Sequence, residues 1–520
     1  MSSTWRSSSS CQPQSSVPHE ILARKIMSEC SSSSGSTASI CSSSSIVRWL
    51  VWHELENSSS LTDQELAILV PERKISSSAI IGLSLNEFPR STTRYNNFHH
   101  HSRNHGLLNF SFIKTNHQPC LYHHHHGRNY GTTLITQPFF LERYFARYEF
   151  HTKYLLSSSD CESMSIGELI GENHEFREGL FNCHLGYTDT KGDLELRELI
   201  IEKHQNWYAP KTSSSPSHRL TASNVIITTG GVEPILVFAM TCLEKDSHII
   251  VQSPRYQALS EITNIAKTKH SFWHAKLVNN KWTFDVKDLE KLIQPRTRAI
   301  ILNPIHNPTG HMHTLEEYLK IIDIAKSQNI LIFSDEVYRG LEYNERDASI
   351  PSLATLYRNA VSMNVMSKSY GLAGLRLGWV VSQNQQILEN IVKGKDFTTI
   401  CNASPSEYLA KLALKQSETI LTKNRSIIAN NLRMAEEFFT SRSKLFEWIP
   451  PKAGPICFIG FKNGREGAYR FCERVVKESG VMLLPSTVYN RLDDGHIRIG
   501  LGRNNFAEGL EVLSKYLSLN

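Results

Sequence analysis

Five short apolar runs, at 225–228, 249–252, 299–302, 330–334 and 360–364, constrain this chain more than any other feature. Most end in a turn carrying glycine, asparagine or aspartate, and helical spacing follows. A run that is apolar on both faces reads as a strand covered on both sides, the signature of parallel pairing. Strands alternating with helices predict an α/β fold with a mostly parallel sheet flanked by helices. Ligand groups in such sheets collect beyond the carboxyl ends of the strands. Past Asn384 the pattern changes to a long helical stretch through Ala429. Short strands then follow at 457–461 and 496–499, with a closing helix from Asn505, which suits a smaller α+β domain. Aromatic, amphipathic spacing at 141–150 and a second pattern at 193–204 predict helices ahead of the first strand.

The strand ends carry the chemistry. Lys368 stands eight residues before Arg376 across a turn punctuated by Gly371 and Gly374. A lysine amine condenses with an aldehyde and an arginine fork grips a phosphate, and pyridoxal phosphate carries both groups. Alone, the pair fits equally a helix start with two solvated cations. Asp335 and Tyr338 follow the run at 330–334, where a carboxylate can keep a pyridine nitrogen protonated and a tyrosine can reach the ring's phenolic oxygen. Taken singly, that segment reads more simply as a helix-start acid and a packed tyrosine. Asn307 precedes Pro308, which holds its backbone extended and its amide fixed. Gly230 and Gly231 lie between a strand and the helix opening at Val232, where free N–H groups favour an anion.

In this order and spacing, Gly230-Gly231, Asn307-Pro308-Thr309-Gly310, Asp335 to Tyr338 and Lys368 to Arg376 make the chain from about Phe139 onward similar to the class I/II aminotransferases of the fold type I pyridoxal-phosphate superfamily. The resemblance implies a large cofactor-binding domain and a smaller α+β C-terminal domain. It makes Lys368 the Schiff-base lysine and proton shuttle, Asp335 the pyridinium partner, and Tyr338 and Asn307 the ligands of O3′. Arg376, Ser367 and the turn of Gly230, Gly231 and Val232 would take the phosphate. Tyr256 falls where the family stacks an aromatic on the ring. Tyr187 falls where a tyrosine crosses a homodimer interface to the neighbouring phosphate. Arg498, with Asn307 beside it, falls where the substrate's α-carboxylate binds, although on strand pattern alone it reads as an outward-facing residue. Arg503 lies close enough to be confused with it.

The sequence departs from the family at Val365, where a hydroxyl residue three before the lysine commonly joins the phosphate cup; Ser367 or Thr229 can replace it. The implied activity is amino transfer between an amino acid and a 2-oxo acid. A looser similarity, carried by 141–169, 160–165 and 398–402, connects the chain to amino-acid cyclases of the capreomycidine-forming kind. Lyases and cyclases begin with the same α-proton loss. A third reading, an effector-binding regulator on the same fold, needs a preceding winged helix-turn-helix, which the opening of this chain does not offer.

Composition bounds the remaining possibilities. The 520 residues carry a formal charge of +6, half of it on residues 1–135, too slight an excess for a nucleic-acid face. The ten cysteines form no CxxC pairs, and no run is long and apolar enough for a membrane span, so a soluble, cytoplasmic chain is expected. Residues 1–135 are rich in serine runs and hold His99–His101 and His123–His126; they read as a low-complexity, disordered extension with neither a metal site nor an import signal. The expected organisation is therefore 1–135 extension, 136–210 helical segment, 211–390 cofactor-binding domain and 391–520 small domain.

Overall fold

The computed structural model describes residues 137–208, 220–463, 466–489 and 494–519. All belong to one compact unit, His123–Asn520. The expectations for residues 1–135 lie outside the described residues.

Thirteen strands are described: β1 (Val225–Thr228), β2 (His248–Ser253), β3 (Lys269–His274), β4 (Lys276–Val278), β5 (Lys281–Thr283), β6 (Thr297–Leu302), β7 (Leu331–Asp335), β8 (Ala360–Val365), β9 (Gly378–Val381), β10 (Phe446–Glu447), β11 (Ile456–Phe461), β12 (Leu484–Pro485) and β13 (His496–Gly500). Seven form one sheet in the order β1-β9-β8-β7-β6-β2-β3. Pairing is parallel from β8 through β3, while β9 runs antiparallel to both β1 and β8. The carboxyl ends of β1, β6, β7 and β8 thus share one edge, and they deliver Gly230, Asn303, Asp335 and Lys368 respectively.

The apolar runs form strands because both faces are covered. Ile249, Ile250, Ile300, Ile332 and Phe333 are all within 1 % of fully buried. The helix Val232–Cys242 lies on this sheet, with Phe238 against Phe333 at 4.9 Å between ring centroids. The helix Leu315–Ser327 starts at a Thr314–Glu317 capping box and buries Tyr318, Ile321, Ile322 and Ala325, one stripe at helical spacing.

The second sheet, β10-β11-β13-β12, is wholly antiparallel. It packs with the helices Ser417–Thr440 and Ala468–Ser479, for example through Phe439 on Phe446 and Phe461 on Phe471, and the helix Phe506–Leu519 lies against those two helices. The N-terminal helix Phe140–Tyr148 bridges the two regions. Its first amide donates to Gln257 beyond β2, and the Tyr148 hydroxyl donates to Glu473 at 2.9 Å.

Two features differ from the sequence expectation. The helical stretch predicted from 384 to 429 is three helices, Gln385–Lys395, Ser404–Lys415 and Ser417–Thr440. The first break falls at a turn where Ile400 adopts φ 65° and Pro405 opens the next helix. Finally, β3, the β4–β5 hairpin and the antiparallel β9 had no counterpart in the apolar pattern, because β9 is a four-residue strand entered directly from the Arg376 turn and β4 is exposed along its whole length.

Candidate active site

The turn after β8 sets the first cation. Gly371 takes φ 68°, and a Cβ there would fall 2.2 Å from the Glu162 carbonyl, so glycine lets residues 161–162 close over the turn. The Cys161 amide donates to the Lys368 carbonyl at 3.2 Å, and Lys368 Nζ donates to Ser159 Oγ at 3.0 Å. Burial, with Arg498 nearby, pulls the Lys368 amine below its usual range, partly offset by Asp160.

The second cation lies over the end of β1. Gly230 has φ 66°, and a Cβ there would stand 2.6 Å from Arg376 Nη2. The Arg376 guanidinium therefore covers the Gly230–Gly231 turn at the N-terminus of the helix Val232–Cys242. Its Nη1 donates to Ser367 Oγ at 3.3 Å and to the Ala373 carbonyl at 2.9 Å. Of the two hydroxyls that could offset Val365, Ser367 faces the cavity, whereas Thr229 accepts from Asn402 and donates its amide to Glu233.

The third cation is Arg498 on β13. It is 1 % exposed, contrary to the outward-facing reading. It donates to the Ser157 carbonyl, to the Tyr489 hydroxyl and to Asn307 Oδ1, the last at 3.1 Å. Arg503 is engaged differently, pairing with Asp160 at 2.9 Å and Glu162 at 3.8 Å. Among the described residues, Lys368, Arg376 and Arg498 form no ion pair with a carboxylate.

These groups line one cavity of about 430 Å³ together with Asp335, Tyr338, Asn307, Tyr256, Gly231 and Val232. Asp335 is buried, and burial pushes its carboxyl up to about 7 despite the Val337 amide at 3.4 Å and Lys368. A buried acid held in this way calls for a cation. Burial also raises the hydroxyls of Tyr338 and Tyr256, keeping both as neutral donors. Tyr187 is not in the cavity of its own chain; it is 89 % exposed.

Several cavity residues carried no usable signal in the sequence. Ser159 belongs to a buried serine run that looks like the polar runs upstream. Glu142, Phe145 and Glu149 come from one face of the N-terminal helix and the turn after it. Asn303 could have been found, since it repeats the Asn-Pro pair of Asn307-Pro308 four residues earlier. Its Oδ1 accepts from the Asn307 amide and its Nδ2 donates to the Asp335 carbonyl, both at 2.7 Å.

The donor set fits pyridoxal phosphate. A lysine of lowered pKa suits the aldehyde, an arginine over a helix start suits the phosphate, and an uncompensated buried carboxyl suits the pyridinium. Fold and donor set together define a pyridoxal-phosphate-dependent transferase of fold type I. Residues 152–513 match the family model for aminotransferase class I and II. The chain belongs to that family. It is 26 % identical over 375 residues to aromatic-amino-acid aminotransferase 2 of Thermococcus litoralis, covering 68 % of this chain and 91 % of that one. It is 24 % identical over 380 residues to capreomycidine synthase of Streptomyces vinaceus, covering 72 % and 93 %. The structure of a PLP-dependent aminotransferase from Streptococcus suis superposes with a TM-score of 0.66 at 26 % identity, covering 74 % of this chain and 98 % of that one. Among the described residues no helix is long and apolar enough to cross a membrane.

Proposed function

We propose that the enzyme transfers an amino group between an α-amino acid and a 2-oxo acid. The observation that carries this reading is the convergence of Lys368, Arg376 and Arg498 on one cavity, without carboxylate partners among the described residues and with the buried Asp335 in the same lining. Bound pyridoxal phosphate supplies the electron sink for the charge left at the substrate's Cα when its proton departs.

The residues divide the remaining work. Lys368 Nζ, whose pKa burial lowers, takes the α-proton and holds it for return, a role worth about 10²- to 10⁴-fold. Asp335 holds positive charge at the ring nitrogen. Asn307 and Tyr338 donate to the ring's phenolic oxygen, and Tyr256 covers the ring face. Arg376, Ser367 and the amides of the Gly230–Gly231–Val232 turn take the phosphate. Arg498 presents its fork to the α-carboxylate, its present partners being neutral groups that a carboxylate outcompetes. Tyr187, exposed in its own chain, reaches the phosphate of a second copy in a homodimer. The division into a helical segment, a cofactor-binding domain and a small C-terminal domain is part of the same reading.

A second reading is elimination or cyclisation on the same cofactor, favoured by the likeness to capreomycidine synthase along 93 % of that protein. One experiment separates the two. For a transaminase, adding an amino acid alone removes the visible absorbance of the bound cofactor and releases a 2-oxo acid. A different 2-oxo acid then restores the band. Continuous turnover with no 2-oxo acid present would overturn amino transfer in favour of the second reading.

A further inference from the structure

Behind the cavity, two buried histidines end in a hydrogen-bond chain whose proton positions the geometry fixes completely. His311 Nδ1 lies 2.9 Å from the Trp282 carbonyl, so that nitrogen carries the proton and Nε2 is a lone pair. At the other end, the Asn303 amide donates to Gln252 Oε1 at 2.6 Å. This identifies the oxygen of Gln252 and turns its NH₂ group toward His313 Nε2 at 2.8 Å. His313 Nε2 must then accept, which places its proton on Nδ1, facing His311 Nε2 at 3.5 Å and Glu317 Oε2 at 3.7 Å. His311, His313, Gln252 and Asn303 are all at most 4 % exposed, so water does not offer alternative partners cheaply.

Asn303 transmits this order to the site. Its amide is held by Gln252, while its side chain holds the Asn307 amide and the Asp335 carbonyl. We propose that Gln252 and His313 are positioning residues, which through Asn303 fix Asn307 and Asp335 at the angles the cofactor ring requires. This rests on the reading of Asn307 and Asp335 given above. A competing use of the same histidines is a metal site, because single ligand atoms of His311, His313 and Glu317 lie within 4.8 Å of one another. The proton on His313 Nδ1 opposes it: that atom must be bare to bind a metal, and Gln252 leaves no other place for the proton.

Isotope-labelled histidine, read by nitrogen–proton correlation on the cofactor-free protein, should show both rings neutral and protonated on Nδ1. Gln252→Leu removes the acceptor of the Asn303 amide. It should weaken pyridoxal phosphate, measured by equilibrium dialysis, at least about tenfold and shift the absorbance of the bound cofactor. Gln252→Glu keeps an oxygen for Asn303 but presents a second oxygen to His313. Affinity should recover while the His313 proton moves to Nε2. A merely packing role predicts a lower melting temperature for Gln252→Leu with affinity and absorbance unchanged, and that result would sink the proposal. So would a wild-type His313 protonated on Nε2, or stoichiometric zinc that shifts the His313 Nδ1 resonance. These readouts need no turnover, so a failed transamination assay with the expected affinities and tautomers would count against the proposed reaction alone.

Discussion

Arg498 Nη1 and Asn307 Oδ1 are 3.1 Å apart, a contact between residues 191 positions distant that joins the small antiparallel sheet to the turn beyond β6. It couples the proposed carboxylate site to the proposed O3′ ligand, so a change at either residue is felt at the other. The Tyr489 hydroxyl donates to the same Oδ1 at 3.0 Å, which leaves the Asn307 Nδ2 free to face the cavity.

Arg498→Ala should therefore lower kcat/KM for amino acids by about 10- to 10²-fold, the worth of charge-assisted hydrogen bonds. Arg498→Lys, which keeps the charge but loses the fork, should recover only part of it. Initial-rate kinetics with one amino acid across both variants is the check, and equal KM values in all three proteins would refute the assignment.

Gly230→Ala should weaken cofactor binding at least about tenfold. The substitution forces a side chain into φ 66°, a strain of about 1–2 kcal/mol, and its Cβ displaces Arg376 Nη2. Titration of the cofactor-free variant with pyridoxal phosphate measures the loss. Gly374→Ala, where nothing lies within 4 Å of the added carbon, is the matched control.

Asp335 imposes a pH dependence on the cofactor-free protein. Its carboxyl is pushed up to about 7, mainly by burial, from an ordinary 3.8. Between those values the folded chain holds a proton that the unfolded chain has released, so stability from this group is full below about 4 and declines as pH rises to about 7. The loss is bounded at about 4 kcal/mol. Relative to wild type, cofactor-free Asp335→Asn should gain stability as pH is raised from 4 to 8, and pyridoxal phosphate should abolish that gain by supplying the missing cation. Denaturant melts at several pH values give the test, and parallel pH profiles for the two proteins would contradict it.

Lys368→Ala should retain pyridoxal phosphate through Arg376 and the β1 turn but lose turnover by about 10²- to 10⁴-fold or more. A small primary amine added to the buffer should return part of the rate, because what is missing is a base of the right size in a formed cavity. Unimpaired activity would remove Lys368 from the reaction.

Much of this was legible in the sequence because it is local. The runs at 225–228, 249–252, 299–302, 330–334 and 360–364 each became a strand, since hydrophobic pattern and strand period are read over a few residues. Lys368, Asp335, Asn307, Tyr338 and Arg376 sit where those strands end, so their placement followed from the strands. Ser159 escaped because a serine in a polar run looks the same whether it is solvated or turned onto a lysine 209 positions away. The antiparallel β9 escaped because the direction of a short strand is set by its neighbours.

By itself the sequence determined the α/β fold and which polar residues stand at the strand ends, through periodicities and turn residues that act over a few positions. Only the tertiary structure decided which arginine faces the cavity. Arg498 and Arg503 are five residues apart and alike in sequence, yet one is buried against Asn307 and Tyr489 and the other is neutralised by Asp160 and Glu162. The difference lies in partners more than 150 residues distant for Asn307, Asp160 and Glu162. Long-range packing supplies those partners, and no local pattern encodes them.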